Sequence, residues 1–502
     1  MSRKLPVLDP LAAFVDVGSE HMHVSVGGEE PKVFGTVTSQ LHALRDWLLE
    51  QKVHSVAMEA TGVYWLPLYG VLEGAKLEVR MVNGRQTRNL PGRKTDMADC
   101  QWGATLHMHG LLRAGFVPPA DIRRLQDYLR LRADHVALAG SCVQLMQKAL
   151  ERMNIKLHDV IASLAGASGM AVMRSIVAGE RSPQALFALC DVQIRSKKEQ
   201  AVIEALRGTW ADEHVFALNQ ALQSWDHYQR LIADCDQCIA TVLPPYDNTR
   251  PPLPKTTKRG GVNAPDIAHL REILAEMCDG QDLTQLPAMT QYGVLQLIGE
   301  VGTDLAVWPT EKHFTAWLGL APGNNDSGKY KRRVKRRCNR AGRLFCMDAQ
   351  SLGCSKDIAL GGFYWRLAAR RGGLIATKAL ARKLAAWFWR MMVKGDDYVE
   401  KGLARYEEQV RKTKEYALKR LAKESWDGNS CLFRPQLDKN QRQSMVQKER
   451  ESDSADDRPG PSPLAHAPRL GAASAAPRLS NLRHFASVNH CWKTEISLIR
   501  WK

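Results

Sequence analysis

The apolar residues of the first hundred positions fall into short blocks whose period keeps changing. LAAFVDVGS is a continuous apolar run that ends in Asp16 and a Gly-Ser turn, as a buried strand does. HMHVSV alternates in the manner of a half-exposed strand, and Gly27-Gly28 then turns the chain into KVFGTV. Ser39 is placed to cap a helix through LHALRDWLLEQK, where Leu41, Leu44, Leu48 and Leu49 share one face. HSVAME is a second buried strand, closed by Ala-Thr-Gly. A helix from about Val63 to Leu72, a strand in LEVRMVN and a helix opening at Asp96 complete the series. The expected order is three strands, helix, strand, helix, strand, helix.

From Ile122 the period becomes seven. Ile122, Leu129, Val136, Val143 and Leu150 repeat at one seam position, with Leu125, Ala139, Met146 and Met153 at the other, interrupted by Arg132. A second set runs through Leu218, Trp225, Ile232 and Ile239, with Ala221, Tyr228, Cys235 and Val242 beside it. Such spacing predicts two coiled-coil helices, paired within the chain or between subunits; an ordinary helical bundle is the alternative. Gly166, Gly169 and Pro183 lie between them, where the chain must return. LPPYDNTRPPLPKTTKRGG, residues 243–261, has the composition of a linker. Beyond residue 430 periodicity disappears into a polar Pro/Ala/Ser-rich tail of the kind that stays disordered. KGLARYEEQVRKTKEYALKRLAKES, just before it, predicts a charged helix.

Composition narrows the partners. The 502 residues are 44% hydrophobic, enough for two or three domains, and the net charge of +17 favours a polyanion. No run of eighteen apolar residues and no signal-peptide pattern is present, so the expectation is a cytoplasmic, nucleoid-associated protein without a membrane partner. The eleven cysteines are scattered. The lone Cys235-x-x-Cys238 pair and the eight-residue spacing of Cys338, Cys346 and Cys354 lack the second pair or the histidines that zinc requires.

Candidate chemistry sits at the ends of the first elements. Asp16 closes the first strand, Glu59 closes the fourth, and Asp96 and Asp99 share a face at the start of the last helix. The element order resembles that of the RNase H-like (RuvC-like) fold, in which these four positions converge. Carboxylates gathered without basic partners repel one another unless a divalent cation, Mg²⁺ or Mn²⁺, holds them, which points to metal-assisted phosphodiester chemistry. Each acid alone also has a structural reading, as a cap, a first-turn acid or a loop acceptor. Arg85, Arg88, Arg93 and Lys94 surround the last pair and suit a backbone phosphate. His21, His23, His107 and His109 read as surface or core histidines.

Near residue 300, Gly299 and Gly302 predict a helix-hairpin-helix turn able to hold a DNA phosphate. Asn324, Asn325, Asp326 and Gly328 then predict a turn that exposes Ser327. Lys329, Lys331, Arg332, Arg333, Lys335, Arg336, Arg337, Arg340 and Arg343 follow without an intervening acid. A basic run is commonly only a solvated face; beside a serine it can also hold a phosphate and stabilise a charged transition state.

Together, DVGS around Asp16, MEATG around Glu59, KTDMAD, APGNNDSGK, LIGEVG, the basic segment with Asn339 and Arg343, and GGFYWRLAARRGGLIATKALARKLAAWFWRMM resemble the IS110/IS1111 family of transposases over residues 10–400. The resemblance implies an α/β RNase H-like domain carrying the acidic tetrad, a central α-helical coiled coil, and a mostly α-helical C-terminal domain carrying a nucleophilic serine. It also implies that Ser327 forms a covalent link to DNA while Asp16, Glu59, Asp96 and Asp99 bind Mg²⁺. A homo-oligomer (dimer or tetramer) acting on element ends and target DNA, with a structured guide RNA, follows from the same resemblance. The expected partition is 1–115 (metal-binding), 120–243 (coiled coil), 244–285 (linker), 286–400 (serine and basic loop), 401–430 (charged helix) and 431–502 (tail). Two rival readings remain: a nuclease or junction resolvase that activates water, and a nucleic-acid-binding derivative without activity.

Overall fold

The computed structural model describes residues 5–84, 86–87, 95–249, 253, 261, 263–322, 324–327, 330–333, 337–355, 358–395 and 402–426. The tail expected at 431–502 lies outside them. The chain divides into two compact units, residues 1–415 and 416–502, and the second is described only where the last helix enters it.

The first unit opens with strands β1 (Ala13–Val17), β2 (His21–Val26) and β3 (Lys32–Gly35) and helix α1 (Thr38–Glu50). Strand β4 (Ser55–Glu59), helix α2 (Trp65–Gly74), strand β5 (Glu78–Val82) and helix α3 (Asp96–Met108) follow. The strands form one mixed sheet in the order β3-β2-β1-β4-β5, antiparallel from β3 to β1 and parallel from β1 to β5. A mixed five-stranded sheet leading into a mostly helical chain is consistent with an RNase H-like fold. The sequence order of elements holds; two details differ. Val37, not Ser39, precedes the first helical residue and offers no side-chain cap, and Leu49 is exposed while Leu41, Leu44 and Leu48 are buried.

Strand periodicity divides the sheet between two cores. Ala13, Val15, Val17, Val56 and Met58 point to the side covered by α1 and α2, where Leu44, Leu48, Leu68 and Leu72 meet them. Phe14 and Ala57 point to the other side, against Cys100, Ala104 and Leu106 of α3.

Helix α4 (Ala120–Arg152) runs beside α9 (Asp212–Val242) in the most extensive helix–helix contact among the described residues. Between them lie α5 (Leu157–Val160), α6 (Ala167–Val177), α7 (Pro183–Ala188) and α8 (Val192–Ala205). The pair is antiparallel. Leu150 and Met146 near the end of α4 share a core with Leu218 and Leu222, and Ile122 and Leu125 at its start share another with Ile239. Arg132, which interrupts the apolar seam in the sequence, is itself in the seam and only 1% exposed. Its guanidinium donates to both carboxylate oxygens of Asp236 (2.5 and 3.2 Å) and to the carbonyl of Asn263 (2.9 Å), and it lies over the Tyr292 ring. The charge is buried because every face of it is answered.

The remaining elements are α10 (Leu270–Met277), a 3-10 turn (Leu283–Gln285), α11 (Gln291–Val301), α12 (Glu311–Trp317), hairpin strands β6 (Asn324–Ser327) and β7 (Tyr330–Arg333), α13 (Arg340–Gly353), α14 (Ala359–Arg371), α15 (Gly373–Lys394) and α16 (Leu403–Trp426). The stretch 244–285, expected as a linker, is folded in its second half. Leu270, Ile273, Leu274 and Leu283 are buried with Leu125 and Leu129 of α4, so apolar periodicity there serves a core. The Gly-x-x-Gly expectation also changes: Gly299 lies inside α11, where a Cβ would meet Leu129 at 2.6 Å, and the helix ends only at Gly302 with φ +74°. Phe116, in the connection from α3 to α4, packs on Trp308 and Trp317 (centroids 4.7 and 5.6 Å apart). The start of α4 is held from the other side by Arg123, which pairs with Glu73 of α2 at 2.5 Å.

Candidate active site: an acidic cleft and a basic hairpin

The same alternation that splits the two cores aims the acids. Asp16 follows Phe14 by two residues and Glu59 follows Ala57 by two, so both carboxylates leave the sheet on the α3 side. Their strands are parallel neighbours in register, Val15 opposite Met58, which sets the two acids side by side at the strand ends. Helix α3 begins there. Thr95 caps it, accepting from the amide of Ala98 at 3.3 Å, which leaves the carboxylate of Asp96 outside the capping role. Asp96 and Asp99 occupy the first turn, where the helix dipole favours acids.

Close packing holds α3 in place. The thiol of Cys100, fully buried, donates to the carbonyls of Phe14 (3.3 Å), on the strand that carries Asp16, and His23 (3.1 Å), on the neighbouring β2. Burial pushes that thiol up to about 12, so it stays a neutral donor. One turn further, Gly103 lets the helix backbone approach the sheet: a Cβ there would stand 2.5 Å from the Phe14 ring. Ser55 and His107 hydrogen-bond across the same interface at 2.9 Å, and burial, then the charge of Arg80, lowers the His107 imidazole so that it remains neutral. On the far side of the cleft the Glu59 carboxylate lies against Gly84, where a Cβ would come within 1.9 Å of Oε1.

Asp16, Glu59, Asp96 and Asp99 all line one open cleft of about 410 Å³. Their mutual repulsion registers at Asp16. Burial, then Asp96 and Glu59, push its carboxyl above the ordinary value, and Asp99 adds to the rise while His23 opposes it. Four carboxylates of hard oxygen donors are the right kind of ligand for Mg²⁺ or Mn²⁺. Among the described residues, though, no three His, Cys, Asp or Glu side chains close into a group that could hold an ion. The cleft has the chemistry of a cation site in a more open arrangement.

Histidines 21 and 23, expected to be ordinary surface or core residues, also line the cleft, with Glu20, Thr61 and Thr87. The antiparallel register sets His23 directly opposite Asp16. The tight turn after Asp16 and the alternation of HMHVSV contain that pairing. His109, by contrast, is occupied elsewhere, bonded to the carbonyl of Pro6 at 2.8 Å.

The serine lies on a different kind of support. Residues 324–327, expected as a turn, form strand β6, with Ser327 its last residue and paired with Tyr330; Asn324 pairs with Arg333 at the other end. Ladder hydrogen bonds have overridden the weak strand preference of Asn and Asp. Of the expected basic contacts, Lys331, Arg332 and Arg333 fall on β7. Arg337 and Arg343 are exposed, and Arg340 stands 3.5 Å from Glu300. Arg85, Arg88, Arg93, Lys94, Lys329, Lys335 and Arg336 lie outside the described residues.

The start of α13, which follows the hairpin in the chain, is secured on two sides. Asn339 caps α13 by accepting from the amide of Gly342 (2.8 Å), and its own side-chain amide donates to the carbonyl of Trp317 (3.3 Å). Glu300 then ties the start of α13 to the long helix pair. It accepts from Arg130 at 2.8 and 3.1 Å and from Gln126 at 3.3 Å.

Two family models match the chain. Residues 15–155 match a transposase model named for the DEDD domain of IS110 elements, and residues 280–358 match the Transposase IS116/IS110/IS902 family. Both matches are to domains of IS110-type transposases. The first matched stretch holds all four acids of the cleft, and the second holds Ser327 and the hairpin. No curated protein matches the chain. Among the described residues no helix is long and apolar enough to cross a membrane.

Proposed function

We propose that this insertion-sequence transposase cuts and rejoins DNA through a serine-linked intermediate, with Ser327 as nucleophile and the acidic cleft as its metal-binding partner site. The convergence of Asp16, Glu59, Asp96 and Asp99 on one cleft, in a chain with both IS110-family matches, carries the reading. Bound by these four carboxylates, Mg²⁺ or Mn²⁺ would supply Lewis-acid polarisation of the scissile phosphate. The chain's own residues do the rest. The Ser327 hydroxyl attacks phosphorus, the bond to the leaving DNA oxygen breaks, and a phosphoserine ester forms. Attack by a hydroxyl of a second DNA strand reverses the step and releases the serine, so rejoining requires no ATP. Lys331, Arg332 and Arg333 on the adjoining strand, with Arg337, Arg340 and Arg343 beyond it, supply cationic charge for the DNA backbone.

In this reading residues 1–115 form the metal-binding module, 120–243 a coiled-coil region and 286–400 the serine-bearing module. Leu131, Leu138 and Leu145 support assembly of several copies. They recur every seven residues on α4, outside the intrachain seam, and are 48, 44 and 54% exposed. A structured guide RNA rests on the family resemblance, and the basic charge of the chain accords with it.

The test is direct. Purified protein, element-end DNA, co-purified RNA and Mg²⁺ are incubated, and a protein–DNA adduct is sought on denaturing gels. Ser327→Ala is expected to abolish adduct and strand transfer together while DNA binding persists. Strand cleavage by that variant at the parental rate would favour the water-activating nuclease reading instead.

A further inference from the structure

Residues 359–426 lie beyond both matched segments, yet they hold sixteen Lys or Arg against seven Asp or Glu, more than half of the chain's net positive charge. Helix α16 is laid against α14 within the first unit. A bridge pairs Ile358 with Gly402, Arg366 donates to Glu407 at 3.2 Å, and the Arg366 guanidinium lies 5.0 Å from the centre of the Tyr406 ring. These contacts hold the beginning of α16. Further along, the two helices bound an open groove of about 650 Å³.

The groove has a consistent chemistry. Arg366, Ala369 and Arg370 line it from α14, and Tyr406, Gln409, Val410, Thr413 and Lys414 line it from α16. Three of the eight residues are cationic and none is acidic. Glu407 is paired with Arg366. Arg370 uses its Nε on the carbonyl of Arg366 (3.3 Å), and its terminal nitrogens, like the Lys414 ammonium on the opposite wall, have no carboxylate partner among the described residues. Two cations facing each other across an open channel repel until an anion lies between them. Tyr406, with the Arg366 guanidinium over its ring, and the apolar Ala369 and Val410 complete the lining beside these charges.

We propose that the α14–α16 groove is a second nucleic-acid site, in which Arg370 and Lys414 clamp a phosphodiester backbone from opposite walls. The proposal rests on the reading that this chain handles nucleic acid, and it is independent of the nucleophile assigned to Ser327. The ligand is defined by its phosphates, so the strand is either DNA or the guide RNA.

Binding of the full chain to labelled single-stranded DNA, duplex DNA and single-stranded RNA of equal length is measured over a range of salt in metal-free buffer, where no strand is cut. Arg370→Gln/Lys414→Gln is expected to weaken binding about tenfold at moderate salt. It should also lower the log–log salt slope by about 0.7 to 0.9 for each phosphate that is no longer neutralised. A loss confined to RNA assigns the groove to RNA, and a loss on DNA assigns it to DNA. The control is Arg411→Gln/Lys412→Gln, which removes equal charge from α16 at residues that pair with Glu415 and Glu408 and do not line the groove. Unchanged affinity and slope on all three probes would overturn the proposal. So would an equal loss in the control, because general charge would then account for the effect. Melting temperatures establish that both variants are folded, and adduct formation by them at saturating DNA keeps this result separate from the Ser327 test.

Discussion

The acidic cleft and the basic hairpin are built on opposite plans. The cleft's acids stand on the ends of interior strands and on the first turn of a helix clamped to the sheet by Cys100 and Gly103. The hairpin has two strands of four residues each, and the helix that follows it, α13, is held at its start through Asn339 and Glu300. A two-stranded ribbon gains little stability by itself, whereas a five-stranded sheet with helices on both faces is rigid. The contrast suits the proposed division of labour. Repelling carboxylates need a stiff frame to stay together, and a nucleophile that must meet one strand and then another needs freedom to travel.

Four substitutions probe that contrast, the strongest first. Asp16→Asn should lower metal-dependent adduct formation by at least about 10²-fold, since the proposed mechanism makes Asp16 a direct ligand and a ligand matters more than its supporting shell. The same variant should gain thermal stability when no divalent cation is present. The raised carboxyl of Asp16 means the folded chain takes up its proton more readily than the unfolded chain. Its contribution is therefore favourable at low pH and is lost as pH rises through the folded value. Asparagine does not titrate, so the variant's advantage should be largest at neutral pH and vanish below the ordinary value of 3.8. Equal melting temperatures at pH 7 would mean that the cleft is not strained by its charges.

Asp236→Ala lies in neither region and should cost about 3–5 kcal/mol in denaturant unfolding, because it strands the Arg132 guanidinium in the helix seam. Stabilisation by added Mg²⁺ should persist in that variant if the cleft is independently framed. Gly103→Ala drives a methyl group against Phe14 and should cost about 1–3 kcal/mol. It should also weaken metal-induced stabilisation, since α3 must back away from β1. Asn339→Ala should cost about 1 kcal/mol through the missing cap. If the ribbon works as a mobile arm, adduct formation should fall by less than for Gly103→Ala; a larger fall would show that the start of α13 is as exacting as the cleft.

The cleft is more legible in the sequence than the hairpin. Period-two alternation places Asp16 and Glu59 on strand ends, and the three-residue spacing of Asp96 and Asp99 puts them on one helix face. The involvement of His21 and His23 depends on the register between β1 and β2, which the tight turn after Asp16 sets and the spacing within either strand alone does not show. Arg132 looks like a break in the heptads because its partner, Asp236, is distant in the chain and becomes its neighbour only when α4 and α9 run antiparallel. Residues 324–326, expected in a turn, differ for the opposite reason; Gly328, expected in the same turn, lies outside the described residues. Local preference in Asn-Asn-Asp favours a turn, and cross-strand pairing outweighs it. Residues 270–285 follow a Pro- and Lys-rich stretch that hides their periodicity, although Leu270, Ile273 and Leu274 belong to the core.

Arg132 and Asp236 also fix a length. A slide of α9 along α4 by one heptad, about 10 Å of helix, would preserve most apolar contacts in a seven-residue repeat. It would also bring Gln229 or Leu243 to the place of Asp236 and leave a buried guanidinium without its counter-charge. The ion pair therefore works as a vernier, admitting one setting among several that the leucines alone would tolerate. Because α4 leaves the acidic module at one end and Leu125 and Leu129 seat the serine-bearing module along it, that setting calibrates the span between the two halves of the proposed active site.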